Sequence, residues 1–235
     1  MIESVGYHVG VPTVLLMTWI ALAILFVLSF IATRKLNLIP QGLQNGFETV
    51  FEFIFDLVDS VIGKEGKQFY PLFIGLFLFI LMGNLIGLIP GLQCATANLN
   101  TTVALALVTF FSTHFFGVRR HGFVKYLSHF TGNAPIWLKP LVFIIEIISE
   151  TARPLSLSFR LFGNMLAKDI LIGTVAFLVV VFFPSAYIVV KVMTIVPLIL
   201  QPAILMLGLL VSVIQAFVFT LLSIFYIGGA IKIHS

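Results

Sequence analysis

Charge is what this 235-residue sequence has least of, since Asp, Glu, Lys and Arg together make up only 9% of it. Soluble globular domains carry about 25% of these residues, so the composition excludes an ordinary soluble protein. Hydrophobic residues account for 60% of the chain, and its mean hydropathy is +1.16. Several apolar runs reach the roughly 20 residues that a helix needs to cross about 30 Å of hydrocarbon. We therefore expect the chain to cross a membrane several times.

Cysteine is also scarce, because Cys94 is the only one in the sequence. A single cysteine excludes a disulfide within the chain and forms no metal-binding pattern, so we expect Cys94 to be structural. The apolar runs lack the polar residue at every second position that a porin-like barrel needs for its lumen. The sequence also has no phosphate-cradling glycine loop, nucleophile triad, paired zinc ligands or basic nucleic-acid patch. We expect an all-α polytopic membrane protein without cofactor, metal site, nucleic-acid partner or enzyme activity of its own.

The hydropathy pattern predicts a single membrane domain over residues 1–235, with about five membrane helices and one amphipathic helix. The expected elements are a first span at 14–33, the amphipathic helix at 43–62, spans at 69–89 and 101–118, and two long helices at 141–183 and 186–231. The opening residues 1–10 carry no positively charged stretch, so we expect the first span to stay in the membrane rather than be cleaved.

Basic residues flank the predicted spans on one side of the membrane. They are Arg34, Lys35, Lys64, Lys67, Arg119, Arg120 and Lys125. Lys and Arg accumulate on the cytoplasmic side of membrane proteins, so the N-terminus is predicted outside and the C-terminus, beside Lys232, in the cytoplasm. We expect a bacterial inner-membrane protein surrounded by membrane lipid.

The segment 43–62 has apolar residues at helical spacing and acidic residues on another face. The acidic positions are Glu48, Glu52, Asp56 and Asp59. Four acids disfavour a membrane span, so we expect this helix to lie along the cytoplasmic interface. Its acidic face then meets either water or a basic partner.

The segment 141–183 is too long for one upright span. Its 43 residues would extend roughly 64 Å as a helix, about twice the hydrocarbon thickness. Two upright spans would crowd Arg153, Arg160, Lys168 and Asp169 into one turn, so we favour a single, steeply tilted helix. The segment 186–231 has a similar excess length, and the two are expected to form a hairpin.

A polar stripe runs along the first of these long helices. Its members lie within about 80° of arc at helical periodicity: Glu146, Ser149, Arg153, Ser156, Arg160 and Asn164. A charge near the bilayer centre costs from about 2.5 to more than 10 kcal/mol, so Arg160 requires a counter-charge, water or a function. No acid lies on its face within one turn, and we expect its partner on another chain. The alternative is an arginine that only joins helices.

Other polar residues face elsewhere on the two long helices. Asp169 is nine residues after Arg160, half a turn round the helix, and should face an ion path or form a local end-of-span cluster with Lys168. On the last helix a stripe of small and polar residues could admit water or simply pack against the Arg160 helix. These residues are Gln201, Gly208, Ser212, Gln215 and Ser223. In the outer loop, Asn98, Asn100, Thr101 and Thr102 could line an entrance or only cap the third span.

The run Ser156-Leu-Ser-Phe-Arg160-Leu-Phe-Gly-Asn164-Met, preceded by Arg153-Pro154 and followed by Asp169, closely resembles the signature of subunit a of F-type ATP synthases. Pro90, the Asn98-to-Thr102 segment and Gln215-Ala-Phe-Val-Phe extend the resemblance over nearly the whole chain. The resemblance implies a stator beside a rotating c-ring, with subunit b of the peripheral stalk as a further partner. Its only substrate would be the transported ion, by default the proton.

Residue roles follow from the same resemblance. Arg160 would separate two offset half-channels, with Asn164 and Gln215 positioning it. Asp169, Asn98, Asn100 and Thr102 would belong to the outer half-channel, and Glu146, Ser149 and Glu150 would lie towards the cytoplasmic one.

One position departs from the family pattern. Family members often have a histidine or an acid seven residues before the glutamine of the last helix, as partner to the position of Asp169, and this chain has Gly208 there. The relay would then use Asp169 with water, or with a neighbour that the sequence does not reveal. The competing classes are a secondary transporter, for which no convincing repeat is visible, and a purely structural membrane scaffold.

Overall fold

A computed structural model describes residues 13–34, 37, 40–89, 92, 94–129, 135, 137–184 and 187–232. Their α-helices are α1 Thr13–Thr33, α2 Leu43–Val61, α3 Tyr70–Ile86, α4 Leu99–His121, α5 Phe123–His129, α6 Lys139–Phe182, α7 Ile188–Met193 and α8 Ile195–Ile231. Short 3-10 helices occupy Lys64–Phe69 and Ala95–Ala97. These ranges contain no strand, and five helical segments are long and apolar enough to cross a membrane. The predicted all-α polytopic fold is confirmed.

The packing centres on α8, which lies against α3, α4 and α6 and also contacts α2. α1 packs outside this group, against α2 and α3. Fully buried apolar side chains from four helices meet in the core: Ile54, Val58, Phe73, Ile80, Leu161, Met165, Phe219 and Ile224. The outer surfaces of α1 and α6 instead expose many large apolar side chains, as helices that face lipid do.

The amphipathic segment is helix α2, and its two faces separate as the periodicity predicts. Ile54 and Val58 are fully buried, whereas Glu52 and Asp56 are exposed. Asp59 accepts a hydrogen bond of 2.7 Å from the hydroxyl of Tyr70. The apolar face thus joins the core, and the acidic face is left for solvent or a partner.

Helix α6 is continuous through all 44 of its residues, so the alternative of two upright spans is wrong. Pro154 lies inside it and cannot donate to the carbonyl of residue 150, yet the residues on both sides of it are helical. At about 1.5 Å per residue it is roughly 66 Å long, and its tilt stays a prediction.

The last long segment differs from the expected single helix over 186–231. α7 ends at Met193, and α8 begins at Ile195. Pro197 explains the break, because it has no N–H to donate to the carbonyl of Met193 and its ring would clash with that carbonyl. The predicted start at Ala186 lies outside the described residues.

The ends of the other spans also move by a few residues. α3 ends at Ile86 rather than 89, since a turn follows at Gly87, where a Cβ would meet Cys94 at 2.5 Å. α4 runs from Leu99 to His121 rather than 101–118. Asn98 caps its start, and the basic residues of its last turn favour the negative end of the helix dipole.

Candidate functional site

Arg160 lies at the middle of the 44-residue helix α6, and its side chain is exposed on the face of the helix that points away from the rest of the bundle. Its neighbour Phe159 is also 57% exposed. Among the described residues, Arg160 forms no ion pair or hydrogen bond. This mid-helix guanidinium, which has no counter-charge in the described part of its chain, is therefore directed towards whatever packs on this face.

The rest of the polar stripe shares this outward face. Ser149, Ser156 and Asn164 are exposed, and Glu146 is half-buried. These side chains do not converge on one another; they mark a polar line along the helix surface.

Arg153 is the stripe member whose charge is paired within the chain. Its Nη1 lies 2.6 Å from Oε1 of Glu150, and its guanidinium carbon lies 5.5 Å from the ring centroid of Tyr226 on α8. The carboxylate and the aromatic face both stabilise the cation. The two arginines of the stripe thus differ: Arg153 is neutralised locally, and Arg160 is not.

Asn164 connects the stripe to α8. Its Nδ2 donates a hydrogen bond of 2.7 Å to Oε1 of Gln215, whose side chain is 3% exposed. The amide Nε2 of Gln215 is buried and has no hydrogen-bond partner among the described residues. One turn from Arg160, α6 and α8 are therefore joined by a buried amide pair whose second donor is unsatisfied among the described residues.

Asp169 does not stand alone, because the adjacent Lys168 folds back beside it. Nζ of Lys168 lies 3.6 Å from Oδ1 of Asp169 and donates a hydrogen bond of 3.1 Å to the backbone carbonyl of Asn84 on α3. Lys168 is only 6% exposed. The pair is thus a local cluster that is anchored to a neighbouring helix.

Gly208 packs against this lysine and against Leu88. A Cβ at Gly208 would lie 3.5 Å from Cγ and Cδ of Lys168 and 2.9 Å from Leu88. The lysine stem therefore passes over the glycine at the position where family members often have a histidine or an acid. Of the two alternatives given for Asp169, the structure shows the local cluster with Lys168.

A hydrogen-bonded polar cluster surrounds Asn84, whose backbone carbonyl accepts from Lys168. Asn84 is fully buried, accepts a hydrogen bond from Thr96 and donates one of 3.2 Å to the carbonyl of Ser212. Cys94 is buried beside Thr96, with its Sγ 2.9 Å from the hydroxyl, and burial raises the pKa of its thiol. Cys94 is thus a packed, uncharged thiol, as expected of a structural residue.

The loop residues predicted to line an entrance have visible local roles. Asn98 accepts a hydrogen bond of 2.9 Å from the backbone N–H of Asn100, which is the capping alternative. Thr102 is fully buried and donates to the carbonyl of Leu99 at 3.0 Å. Asn100 is exposed, and Thr101 is half-buried.

The small and polar stripe of α8 meets three helices rather than the Arg160 helix alone. Gly208 and Gln215 face α6, but Ser212 accepts from Asn84 of α3, and Ser223 lies 3.2 Å from the hydroxyl of Thr109 on α4. Gln201 is half-buried. The packing prediction was too narrow because α8 is surrounded by neighbours.

Sequence reasoning missed the role of Asn84. The signal was available, because Asn84 is the only strongly polar side chain in the apolar run 70–89, and a buried amide in a membrane span needs partners. The lysine partner could not be read from sequence, since it comes from a helix 84 positions further along.

Comparison with known proteins gives a consistent result. The family model described as "ATP synthase A chain" matches residues 15–228. The chain is 44% identical over 216 residues to "ATP synthase subunit a" of Geobacter sulfurreducens, covering 92% of this chain and 86% of that protein. It is 44% identical over 232 residues to "ATP synthase subunit a 1" of Syntrophotalea carbinolica, with 98% and 89% coverage. For "ATP synthase subunit a" of Trichlorobacter lovleyi the identity is 44% over 216 residues, with 92% and 85% coverage.

Proposed function

The chain belongs to the ATP synthase A chain family, and from this membership we propose that it carries protons through two offset half-channels, with Arg160 separating them. As a member, it is a non-catalytic subunit of the membrane sector, associates with the rest of the complex and is a multi-pass protein of a bacterial inner membrane. The proposal adds the path of the ion and the residues that carry it.

One observation carries the proposal: Arg160 is exposed at mid-helix, with no counter-charge among the described residues of its own chain. A structural arginine would be expected to pair internally, as Arg153 does with Glu150 at 2.6 Å. The exposed guanidinium suits an acidic partner that arrives on the outer face of α6. In this family that partner is a carboxylate of the rotating c-ring.

The fixed charge gives the passing carboxylate a preferred protonation state. A cation nearby favours the ionised form of a carboxyl group, so the ring residue releases its proton as it approaches Arg160. Two tightly locked charges would not separate easily once water is excluded. Arg160 therefore works without a fixed partner, and Asn164 and Gln215, joined by a hydrogen bond of 2.7 Å one turn away, position it.

The two half-channels are proposed to reach Arg160 from opposite ends of α6. Glu146, Ser149 and Glu150 belong to the cytoplasmic path, with Ser156 between them and Arg160. Glu146 lies about 21 Å from Arg160 along the helix axis. Asp169, about 14 Å beyond Arg160, belongs to the outer path. The outer-loop residues Asn98, Asn100 and Thr102 line the approach to Asp169. The positive charge of Lys168 acts on the Asp169 carboxylate.

The remaining parts of the proposal concern surroundings. The whole chain acts as one membrane domain, with the N-terminus outside and the C-terminus in the cytoplasm. Subunit b of the peripheral stalk is the second proposed protein partner.

The test compares Arg160→Ala with Arg160→Lys in the assembled complex, in vesicles. Proton flux driven by a membrane potential and proton pumping driven by ATP are both measured. Arg160→Ala should abolish coupled transport, because no charge then acts on the ring carboxylate. Arg160→Lys should retain only part of it, because lysine keeps the charge but loses the planar guanidinium.

Lys139→Ala is the matched control, since it removes one exposed cation from the first turn of the same helix. It should transport normally. The amount of assembled complex is measured for every variant. Normal ATP synthesis and pumping by Arg160→Ala would make Arg160 a structural residue and would leave the scaffold alternative standing.

A further inference from the structure

A cleft of about 490 Å³ opens at the basic end of the bundle, away from the proposed ion path. It lies between the 3-10 helix Lys64–Phe69, the last turns of α4 and the end of α8. Its volume is within the range of about 300 to 1,000 Å³ that is typical of small-ligand sites.

Four cations and one acid line the mouth of this cleft. They are Lys64, Lys67, Arg119, Arg120 and Glu65, all exposed. Nη2 of Arg120 lies 2.6 Å from Oε1 of Glu65, so these two neutralise each other. Within the described part of the chain, Lys64, Lys67 and Arg119 have no ion pair or hydrogen bond to any side chain. The cleft therefore carries three uncompensated positive charges.

The floor of the cleft is apolar. Phe69 is 1% exposed and Ile231 is 7% exposed, and the ring of Phe116 meets that of Phe69 edge to face, with centroids 4.6 Å apart. The cleft thus places a charged rim above an apolar base, at the ends of three membrane helices.

Several contacts hold the walls in place. Nε2 of His121 lies 2.9 Å from the carbonyl of Ile231, joining α4 to α8. Nζ of Lys232 donates a hydrogen bond of 2.6 Å to the carbonyl of Val61, joining α8 to α2. The cleft is therefore a preformed feature of the fold and not a gap between loose segments.

We propose that this cleft binds the phosphate-bearing headgroup of an anionic phospholipid. The three free cations match a phosphodiester, and basic pockets at the cytoplasmic ends of membrane helices are suited to such headgroups. The apolar floor distinguishes a lipid from free phosphate, because only a lipid brings glycerol and acyl carbons to cover it. An acidic protein segment would also satisfy the charges, but the site lies where the membrane itself supplies the ligand.

The test uses the assembled complex in phosphatidylcholine vesicles that contain photoactivatable phosphatidylglycerol. Crosslinking to the peptides around residues 64–69 and 116–120 is measured against lipid concentration. The variant Lys64→Gln, Lys67→Gln, Arg119→Gln should bind about a hundredfold more weakly, since each surface charge contributes about fivefold. The matched variant Arg34→Gln, Lys125→Gln, Lys139→Gln removes equal charge from exposed positions outside the cleft and should bind normally.

Competition and a second crosslinker identify the ligand. Unlabelled phosphatidylglycerol should displace the probe, whereas phosphatidylcholine and inorganic phosphate should not. Displacement by inorganic phosphate at the same concentration as lipid would overturn the assignment to a lipid. An equal loss of lipid binding in both triple variants would also overturn it, as would unchanged lipid binding in the cleft variant. So would a benzoylphenylalanine at Gln68 that crosslinks to another subunit instead of lipid.

Discussion

Two of the cations of helix α6, Lys168 and Arg160, lie eight residues apart and differ in their surroundings. Lys168 is 6% exposed, with its ammonium shared between the carbonyl of Asn84 and Asp169. Arg160 is exposed and has no partner in the described chain. A buried cation needs hydrogen bonds to offset its lost hydration, and only Lys168 receives them internally. The first charge is thus part of the fold, and the second is available to another molecule.

The anchoring of Lys168 predicts a stability effect. Lys168→Met keeps the stem over Gly208 but removes the ammonium, so the Asn84 carbonyl loses its donor and Asp169 loses its ion pair. We expect the chain to lose about 1.5 to 3 kcal/mol of unfolding free energy, as for a hydrogen bond to a charged group. The measurement is unfolding of the purified chain in mixed micelles with increasing denaturing detergent.

Lys191→Met serves as the control because Lys191 is an exposed lysine on α7, and it should leave unfolding unchanged. Equal stability of the two variants would mean that the Lys168 cluster contributes nothing to the fold.

At the residue scale, what could be predicted from sequence depends on distance along the chain. Arg160 is identifiable from sequence because an arginine in a membrane span costs free energy whichever way its side chain points. The pair of Asn164 with Gln215 was expected only through family resemblance, and the structure joins their amides at 2.7 Å. The sequence indicates that Lys168 and Asp169 can form a cluster, but it does not reveal which neighbouring helix receives the long lysine side chain.

At the scale of helices, periodicity predicted the elements better than their ends. The two faces of α2 follow from the spacing of Ile54, Val58 and the acids, and the unbroken α6 was favoured on length. The break at Thr194 was missed although Pro197 was visible, because proline is tolerated inside other helices of this chain, as Pro154 is. Local propensity is overridden by packing, so helix ends require the tertiary structure.

The contact between α8 and α2 offers a test with an adjacent control. A Cβ at Gly228 would lie 3.2 Å from Ile62 and 3.3 Å from Val61, whereas nothing lies within 4 Å of one at Gly229. Gly228→Leu should therefore destabilise the chain by about 1 to 3 kcal/mol through overpacking, and Gly229→Leu should not. Detergent unfolding of the two variants checks this, and an equal effect of both would rule out close packing as the cause.

At the scale of the whole molecule, four cations lie at the ends of the long helices α4, α6 and α8. Arg119 and Arg120 end α4, Lys139 begins α6, and Lys232 follows α8. Because successive spans cross the membrane in alternating directions, these helix ends lie on the same side. That arrangement was predictable from charge and hydropathy alone. The arrangement of α3, α4 and α6 round α8 was not, because apolar faces in lipid carry no hydrophobic signal for their partners.

The orientation predicts opposite accessibility for two exposed positions. In a Cys94→Ser background, Lys139→Cys should react with a membrane-impermeant maleimide from the cytoplasmic side only. Asn100→Cys should react from the outside only, because Lys and Arg are retained in the cytoplasm. Labelling of right-side-out and inverted vesicles measures this, and the reverse pattern would invert the proposed topology.

The exposed guanidinium of Arg160 also has a consequence for biogenesis. A newly inserted copy that has not met its partner holds this charge against hydrocarbon, at a cost of at least about 2.5 kcal/mol. Association with an acidic surface removes that cost, so a solitary copy has a higher free energy in the bilayer than an assembled one. The residue proposed to direct protons therefore also distinguishes an orphan subunit from a mature one, which gives membrane chaperones and proteases a physical feature to recognise.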